Sequence, residues 1–293
     1  MFEKAIEEII RYTTPVCTIS RDYGELTVCP GAATLFFVNE EGCAVTCRHV
    51  AELLLNRDNM NRRYVAFKEE RDQLGKKNYN QRIRDLENRY GYRENVTIQL
   101  KEIFVRATRE PQLTYTSALH PQYDLAIIRI NDFKNPAYES FARFAKDSGS
   151  VKPGKMLCRL GYPFPEFSNF RYNRESDDIE WTDLNVSTPY FPIDGMVTRQ
   201  LHDGQRIFGI ELSTPGLRGQ SGGPLFDEHG TVYGMQFSTK HLHLGFDMRN
   251  QEIQASGKTI RVSNQPFLHV GWCIHADIIK DFLRQNGVKY YEI

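Results

Sequence analysis

The chain has 293 residues, and its 37 basic and 37 acidic side chains leave no formal net charge at pH 7. That balance argues against nucleic acid as the main partner, which would call for a surplus of Lys and Arg. With 40% hydrophobic and 12% aromatic residues the chain has the make-up of a folded protein, and it holds no long uncharged apolar run that would cross a membrane.

The opening residues, Met1-Phe2-Glu3-Lys4-Ala5-Ile6-Glu7-Glu8-Ile9-Ile10, place acids where a secretory leader would be apolar, and no small-residue cleavage site follows. The expected location is therefore the cytoplasm. Residues 2–12 read as a short amphipathic helix with Phe2, Ile6, Ile9 and Ile10 on one side. Cys17, Cys29, Cys43, Cys47, Cys158 and Cys273 lack metal-type spacing and read as reduced thiols, mostly buried, with a disulfide set as the lesser alternative.

From Val16 onward the pattern becomes short apolar or alternating segments between Gly, Asn and Asp turns. The segments are Ala33–Val38, Cys43–Thr46, Ala126–Ile130, Met156–Leu160, Phe208–Leu212, Val232–Phe237 and Val270–Ile274. Many short strands of this kind point to a sandwich or barrel. Two helical passages interrupt them. Residues 57–91 read as an exposed insertion or hairpin around Gly75, and His275–Gln285 carries a stripe of Ile278, Ile279, Phe282 and Leu283. Arg57 to Arg93 hold eleven basic and six acidic residues, which read first as a solvated helix laced with charge pairs and, as the alternative, as a patch for nucleic acid or a partner. An acidic segment holds Glu175, Asp177, Asp178, Glu180 and Asp183. Both charged stretches are assigned to partner choice or solubility.

The most specific local signal is Gly219-Gln220-Ser221-Gly222-Gly223-Pro224. Glycines on both sides of a serine let backbone amides turn toward one point without Cβ obstruction. Converging amides of Gly219 and Ser221 would form the donor pair that acyl transfer needs for its oxyanion. The hexapeptide also satisfies G-x-S-x-G, the nucleophile elbow of α/β-hydrolases, with Asp247 and His269 as nominal acid and base. An elbow must lead straight into a helix, whereas here a turn at Asp227–Gly230 and the strand Val232–Phe237 follow. That pattern is a hairpin, and the esterase reading is set aside.

A serine hydroxyl is a weak nucleophile until an imidazole takes its proton. His49 stands where the strand Cys43–Thr46 exits and a helical turn at Ala51–Leu54 begins. Read alone it is an ordinary turn histidine; beside the serine motif it becomes the candidate base. Asp124, at the head of Leu125-Ala126-Ile127-Ile128, is the candidate acid that fixes the imidazole, with pairing to Arg129 as its structural alternative. The chain order His49, Asp124, Ser221 is one of the orders in which such triads occur.

Thr46-Cys47-Arg48-His49-Val50, Tyr123-Asp124-Leu125-Ala126-Ile127-Ile128 and the Ser221 hexapeptide together resemble the trypsin-like, chymotrypsin-fold serine peptidases, especially the bacterial group that includes the HtrA-type enzymes. Weaker matches are Pro153-Gly154 with Leu160-Gly161-Tyr162-Pro163, and Gly271-Trp272-Cys273-Ile274. The resemblance spans about residues 30–285. It implies an all-β fold of two six-stranded antiparallel β-barrels packed face to face, with an N-terminal helix (1–14), a first barrel (15–135) carrying the helical insertion, a second barrel (136–274) and a C-terminal helix and tail (275–293). The appended peptide-binding module of HtrA enzymes is expected to be absent. Gln220 replaces the Asp by which digestive relatives grip a freshly cut N-terminus, so zymogen cleavage of that kind is not expected.

The activity implied is a serine endopeptidase acting on protein or peptide substrates without metal or cofactor. Gly219 and Ser221 would supply the oxyanion hole. Phe237, Ser238 and Thr239 would pair with the substrate backbone, and Pro215, Gly216, Leu217, Arg218, Val270 and Gly271 would surround the primary specificity pocket. With Pro215 at its base instead of an acid, an apolar or small residue is expected there; His241 and His243 offer an acidic preference as the alternative. Two further readings stay open: activity conditional on a partner docking at 57–91, and a catalytically silent module that holds partners in the same cleft.

Overall fold

β-branched and aromatic residues between Gly, Asn and Asp turns form mostly strands in a computed structural model that describes residues 1–293 except 108–112, 132, 134–136, 139, 205, 246–247, 256 and 265–266. The expected boundary between the two barrels at 135/136 and Asp247 of the esterase alternative lie outside the described residues. A helix α1 (Glu3–Ile9) is followed by β1 (Thr13–Asp22), β2 (Cys29–Phe37) and β3 (Cys43–Thr46). The helices α2 (Arg48–Asp72) and α3 (Tyr79–Tyr90) separate these from β4 (Thr97–Phe104), β5 (Tyr115–Leu119) and β6 (Ala126–Ile130). Next come β7 (Arg143–Phe144), β8 (Met156–Gly161), the hairpin β9 (Phe170–Asn173) and β10 (Asp178–Trp181), β11 (Phe191–Asp203) and β12 (Arg206–Leu212). The remaining strands are β13 (Pro224–Phe226), β14 (Val232–His243), the hairpin β15 (Met248–Ala255) and β16 (Lys258–Asn264), and β17 (Phe267–His275), before α4 (Ala276–Gln285) and β18 (Tyr291–Glu292).

The later strands close into a ring of six, β13-β8-β11-β12-β17-β14, with β14 returning to β13 and every pair antiparallel. The first six form one curled antiparallel sheet in the order β4-β1-β2-β3-β6-β5. Among the described residues no ladder joins its two edges, β4 and β5. Helix α2 packs on both instead. The Asn61 amide there imitates a strand: it donates to Leu100 O at 2.8 Å and accepts from Leu100 N at 3.0 Å, satisfying the edge of β4.

Two helices differ in extent from expectation. α1 stops at Ile9 and β1 already begins at Thr13, because Thr13-Thr14-Pro15-Val16 joins β-branched residues to a proline that disfavours helix before it. The insertion starts nine residues earlier than residue 57, since α2 runs unbroken from Arg48 and turns at the expected break before α3. Tyr64, Phe67 and Leu86 of this hairpin form a small core with Tyr92 and with Ile98 of β4. The main core draws on both halves of the chain. α1 contributes Phe2, whose ring meets Phe226 edge-on at 6.3 Å, and α4 buries Ile278, Ile279, Phe282 and Leu283.

The stretch after Lys240 is built as two hairpins, β14–β17 and β15–β16. The basic and acidic stretches partly face each other. Asp177, at the β9–β10 turn, receives Arg21 Nη2 and Tyr172 Oη on Oδ1 at 2.8 and 2.7 Å, and Tyr64 Oη and Arg71 Nη1 on Oδ2 at 2.8 and 3.2 Å. Lys68 Nζ caps the same turn through Ser176 O and Asp177 O, and Lys101 Nζ meets Asp178 Oδ2 at 2.8 Å. The charge in these residues therefore docks the helical hairpin on the β9–β10 hairpin. Asp177→Asn, which keeps the shape and removes the charge facing Arg21 and Arg71, is expected to lower stability by about 2–3 kcal/mol. Urea denaturation would measure the loss, and proteolysis within 73–78 should accelerate in parallel.

Candidate active site

Strand β3 ends at Thr46 and α2 begins at Arg48, leaving Cys47 as an N-cap whose side chain does not cap the helix. The first-turn N–H groups need acceptors from elsewhere. Asp124 supplies them from the turn before β6: Oδ1 accepts the backbone N–H of His49 at 3.0 Å, and Oδ2 lies 2.8 Å from His49 Nδ1. The two segments meet because β3 and β6 pair with Thr46 opposite Ala126. The carboxylate also faces the positive end of α2.

Burial by itself would raise the Asp124 pKa. Hydrogen bonds from the His49 ring and from the backbone N–H groups of His49 and Arg48 outweigh it, and the net shift is downward from 3.8. An ionised carboxylate can only accept, so this hydrogen bond places a proton on His49 Nδ1, and in the neutral ring Nε2 is then the acceptor on the other side. Arg129, the alternative partner of Asp124, reaches Asn286 O at 3.5 Å instead.

The Ser221 loop is pinned from both sheets. Thr34 on β2 donates its N–H to Ser221 O at 3.0 Å and its hydroxyl to Gly219 O at 2.8 Å. The Gln220 side chain, fully buried, accepts from Leu217 N and donates to Phe191 O, both at 2.9 Å. These neutral bonds order the loop. Gly222 has φ +89°, and a Cβ there would stand 2.0 Å from Thr34 O, so only glycine fits. The N–H groups of Gln220, Gly222 and Gly223 are bonded to Leu217 O, Gln236 O and Gln220 O. Those of Gly219 and Ser221 donate to no described residue, nor does the Ser221 hydroxyl have a partner among them.

Cys47 bridges the two halves. Its thiol donates to Gln236 O at 3.4 Å, the oxygen that also accepts Gly222 N–H at 2.9 Å, so the His49 helix and the Ser221 loop hang on one carbonyl. Candidate ligand atoms of Cys47, His49 and Asp124 lie within 4.8 Å of one another. Burial, with Asp124 beside it, pushes the Cys47 thiol well above its ordinary pKa, which makes it a poor thiolate ligand for a metal.

The segments expected around a specificity pocket do converge. Thr239 Oγ1 donates to Gly216 O at 2.7 Å, and Thr239 and Ser238 pair with Gly271 and Trp272. Val270 is buried in β17, and Phe237 packs at 6.3 Å from the Trp272 ring. Pro215 and Leu217 are half-buried, whereas Arg218 is exposed. Beyond Met235 the edge of β14 away from β17 has no strand partner among the described residues, which leaves Phe237–Thr239 open to an added strand. His241 and His269 contact each other on the exposed part of this hairpin. Ser221 leads into the hairpin β13–β14, not into a helix.

Sequence reading overlooked Thr34 and Arg159. Thr34 sat inside an apolar strand segment and carried no motif. Arg159 left a signal, a lone cation within Leu157-Cys158-Arg159-Leu160, and it is fully buried beneath Thr214 and Pro215. A cavity of about 1000 Å³ lies apart from the three motifs, lined by Glu102, Phe104, Arg106, Tyr162 and Trp181 among others.

The lowered Asp124 pKa has a testable sign. Stability from this carboxylate is fully present above the unfolded value near 3.8 and is lost as pH falls through the lower folded value. The difference in melting temperature between wild type and Asp124→Asn should therefore hold at neutral pH, shrink progressively as pH falls below 3.8 and vanish in stronger acid. The family model for the trypsin-like peptidase domain matches residues 33–235, more than half of the chain and all three motifs. No curated protein matches the sequence. With this match and a fold of two β-sheets curled in the manner of double-barrel peptidases, the chain belongs to the trypsin-like peptidases.

Proposed function

We propose that the protein is a serine endopeptidase whose nucleophile is Ser221, with His49 as general base and Asp124 as the group that orients it. The observation that carries the reading is the His49–Asp124 pair held, through Cys47 and Gln236 O, against a serine loop whose Gly219 and Ser221 amides donate to no described residue. Nε2 of His49 takes the Ser221 proton as Oγ attacks the scissile carbonyl, and the two amides receive the oxyanion. His49 then passes the proton to the leaving amine, and a water repeats the sequence on the acyl-enzyme. The open edge at Phe237–Thr239 receives the substrate as an added strand. The reaction consumes only water and needs no cofactor. Six free thiols, five of them buried, suit a reducing compartment such as the cytoplasm.

A fluorophosphonate probe should label wild type and not Ser221→Ala. Turnover of a peptide substrate should fall by about 10⁶-fold in Ser221→Ala and about 10⁴-fold in Asp124→Asn. Absence of Ser221-dependent labelling under every activating condition would leave a protease-fold binding module in its place.

The unpartnered Ser221 hydroxyl favours a second element, engagement conditional on a partner. Lys76, Lys77, Arg82 and Arg84 at the tip of the α2–α3 hairpin are exposed and have no ion pair among the described residues, the chemistry of a dock for an acidic protein surface. Because Tyr64 and Phe67 belong to a buried cluster, the test is charge reversal at the tip and not deletion of the hairpin. Lys77→Glu with Arg84→Glu should keep the melting temperature and abolish stimulation by a cell extract; stimulation unchanged from wild type rejects the dock.

A further inference from the structure

Arg159 on β8 is a charge with no counter-charge in contact among the described residues. Its side chain is fully buried, yet each acceptor it reaches is neutral: Gln236 Oε1 at 2.8 Å, Thr214 O at 3.0 Å, Thr214 Oγ1 at 2.7 Å and Pro215 O at 3.1 Å. Its Nε is buried and has no partner among the described residues. The carboxylate that acts on it most, Asp194, is exposed and forms no ion pair with it, and Glu211 is held by Arg199, Trp272 and Thr198. Since a guanidinium does not give up its proton in a protein, the site keeps a full positive charge in a low-dielectric interior. Such a charge is costly unless an anion faces it.

The surroundings direct that charge toward one place. A Cβ on Gly271 would stand 2.0 Å from Arg159 Nη1, so the absence of a side chain there admits the guanidinium to the floor formed by Thr214, Pro215 and Gly271. The Pro215 carbonyl points at Arg159, and in a trans peptide the Gly216 N–H points the opposite way. This N–H donates to no described residue. A cation on the carbonyl side polarises the peptide and strengthens the donor on the other side. Arg218 and Lys240, exposed at the rim, form no ion pair with a described carboxylate.

We infer that Arg159 gives the primary specificity pocket a fixed positive floor, so that the enzyme selects substrates with a carboxylate side chain, Asp or Glu, on the residue that donates the scissile carbonyl. The carboxylate accepts the Gly216 N–H and supplies the anion that Arg159 lacks. The inference rests on the reading of Ser221 as nucleophile and of 215–218, 237–239 and 270–271 as the residues around the pocket. It replaces the apolar or small residue expected from Pro215 alone.

The test uses the full-length wild-type protein and pairs of peptides identical except for Glu against Gln, or Asp against Asn, before the cleaved bond. The carboxylate member should have the higher kcat/KM by about tenfold or more. The ratio should hold between low and high salt, because the charge is buried. Parity within a pair, or preference for the amide or an apolar residue, overturns the inference while Ser221-dependent labelling still stands. Loss of both labelling and turnover removes the underlying reading and the inference with it. Arg159→Met should bring the Glu/Gln ratio toward one, with fluorophosphonate labelling reporting whether the variant has kept its site; Arg159→Lys should retain part of the preference. A Glu/Gln ratio unchanged in a labelling-competent Arg159→Met overturns the assignment to this residue.

Discussion

One carboxylate organises the molecule. Asp124 accepts the first-turn N–H of α2 through one oxygen and the His49 ring through the other. Each bond supports the other, because holding the backbone of His49 fixes where its ring can go. Burial disfavours the charge, and the donors converging on it outweigh that penalty, so the group remains an acceptor at neutral pH. The consequences extend far from the site. The helix that starts at this carboxylate runs on to Asn61, which satisfies the edge of β4, and to Arg71, which reaches Asp177. Placing the imidazole and covering the open seam of the first sheet thus share a single helix.

The serine loop follows a comparable logic of borrowed support. Its glycines permit a conformation that no side chain would tolerate, but permissiveness alone leaves a loop undefined. Thr34 reaches over from the first sheet to hold Gly219 and Ser221, while Gln220 ties the loop to Leu217 and to Phe191 of β11. The amides left without partners are the two that flank this fixed turn. Order at the loop comes from neutral hydrogen bonds made within the chain.

The distribution of charge carries more meaning than its total. A chain with a sum of zero sets a basic helix against an acidic hairpin, and Asp177 lies where four donors meet. The hairpin tip keeps Lys76, Lys77, Arg82 and Arg84 exposed and without an ion pair among the described residues. Arg159 is the opposite case, a buried cation solvated by carbonyl, amide and hydroxyl oxygens alone. A sum over the sequence treats both alike, although one holds two elements together and the other leaves a field without an anion.

The three motifs, their order and the β-rich character were legible because each depends on neighbours in sequence: glycines around Ser221, a strand leading into His49, an acid heading an apolar strand. The helical break near Gly75 and the apolar stripe of α4 were legible for the same reason. The start of α2 was not, since its cap comes from Asp124, 75 residues away. Thr34 and Arg159 were equally invisible in role, as an apolar strand reads the same whether its polar member faces a loop or a core. By itself, then, the sequence determined which residues are chemically competent and which segments become strands or helices, because those properties arise from side-chain chemistry and local backbone preference. Tertiary structure alone decided which groups meet, which amides remain free and which charge is left uncompensated, because hydrogen bonding and desolvation depend on distances between segments that are remote along the chain.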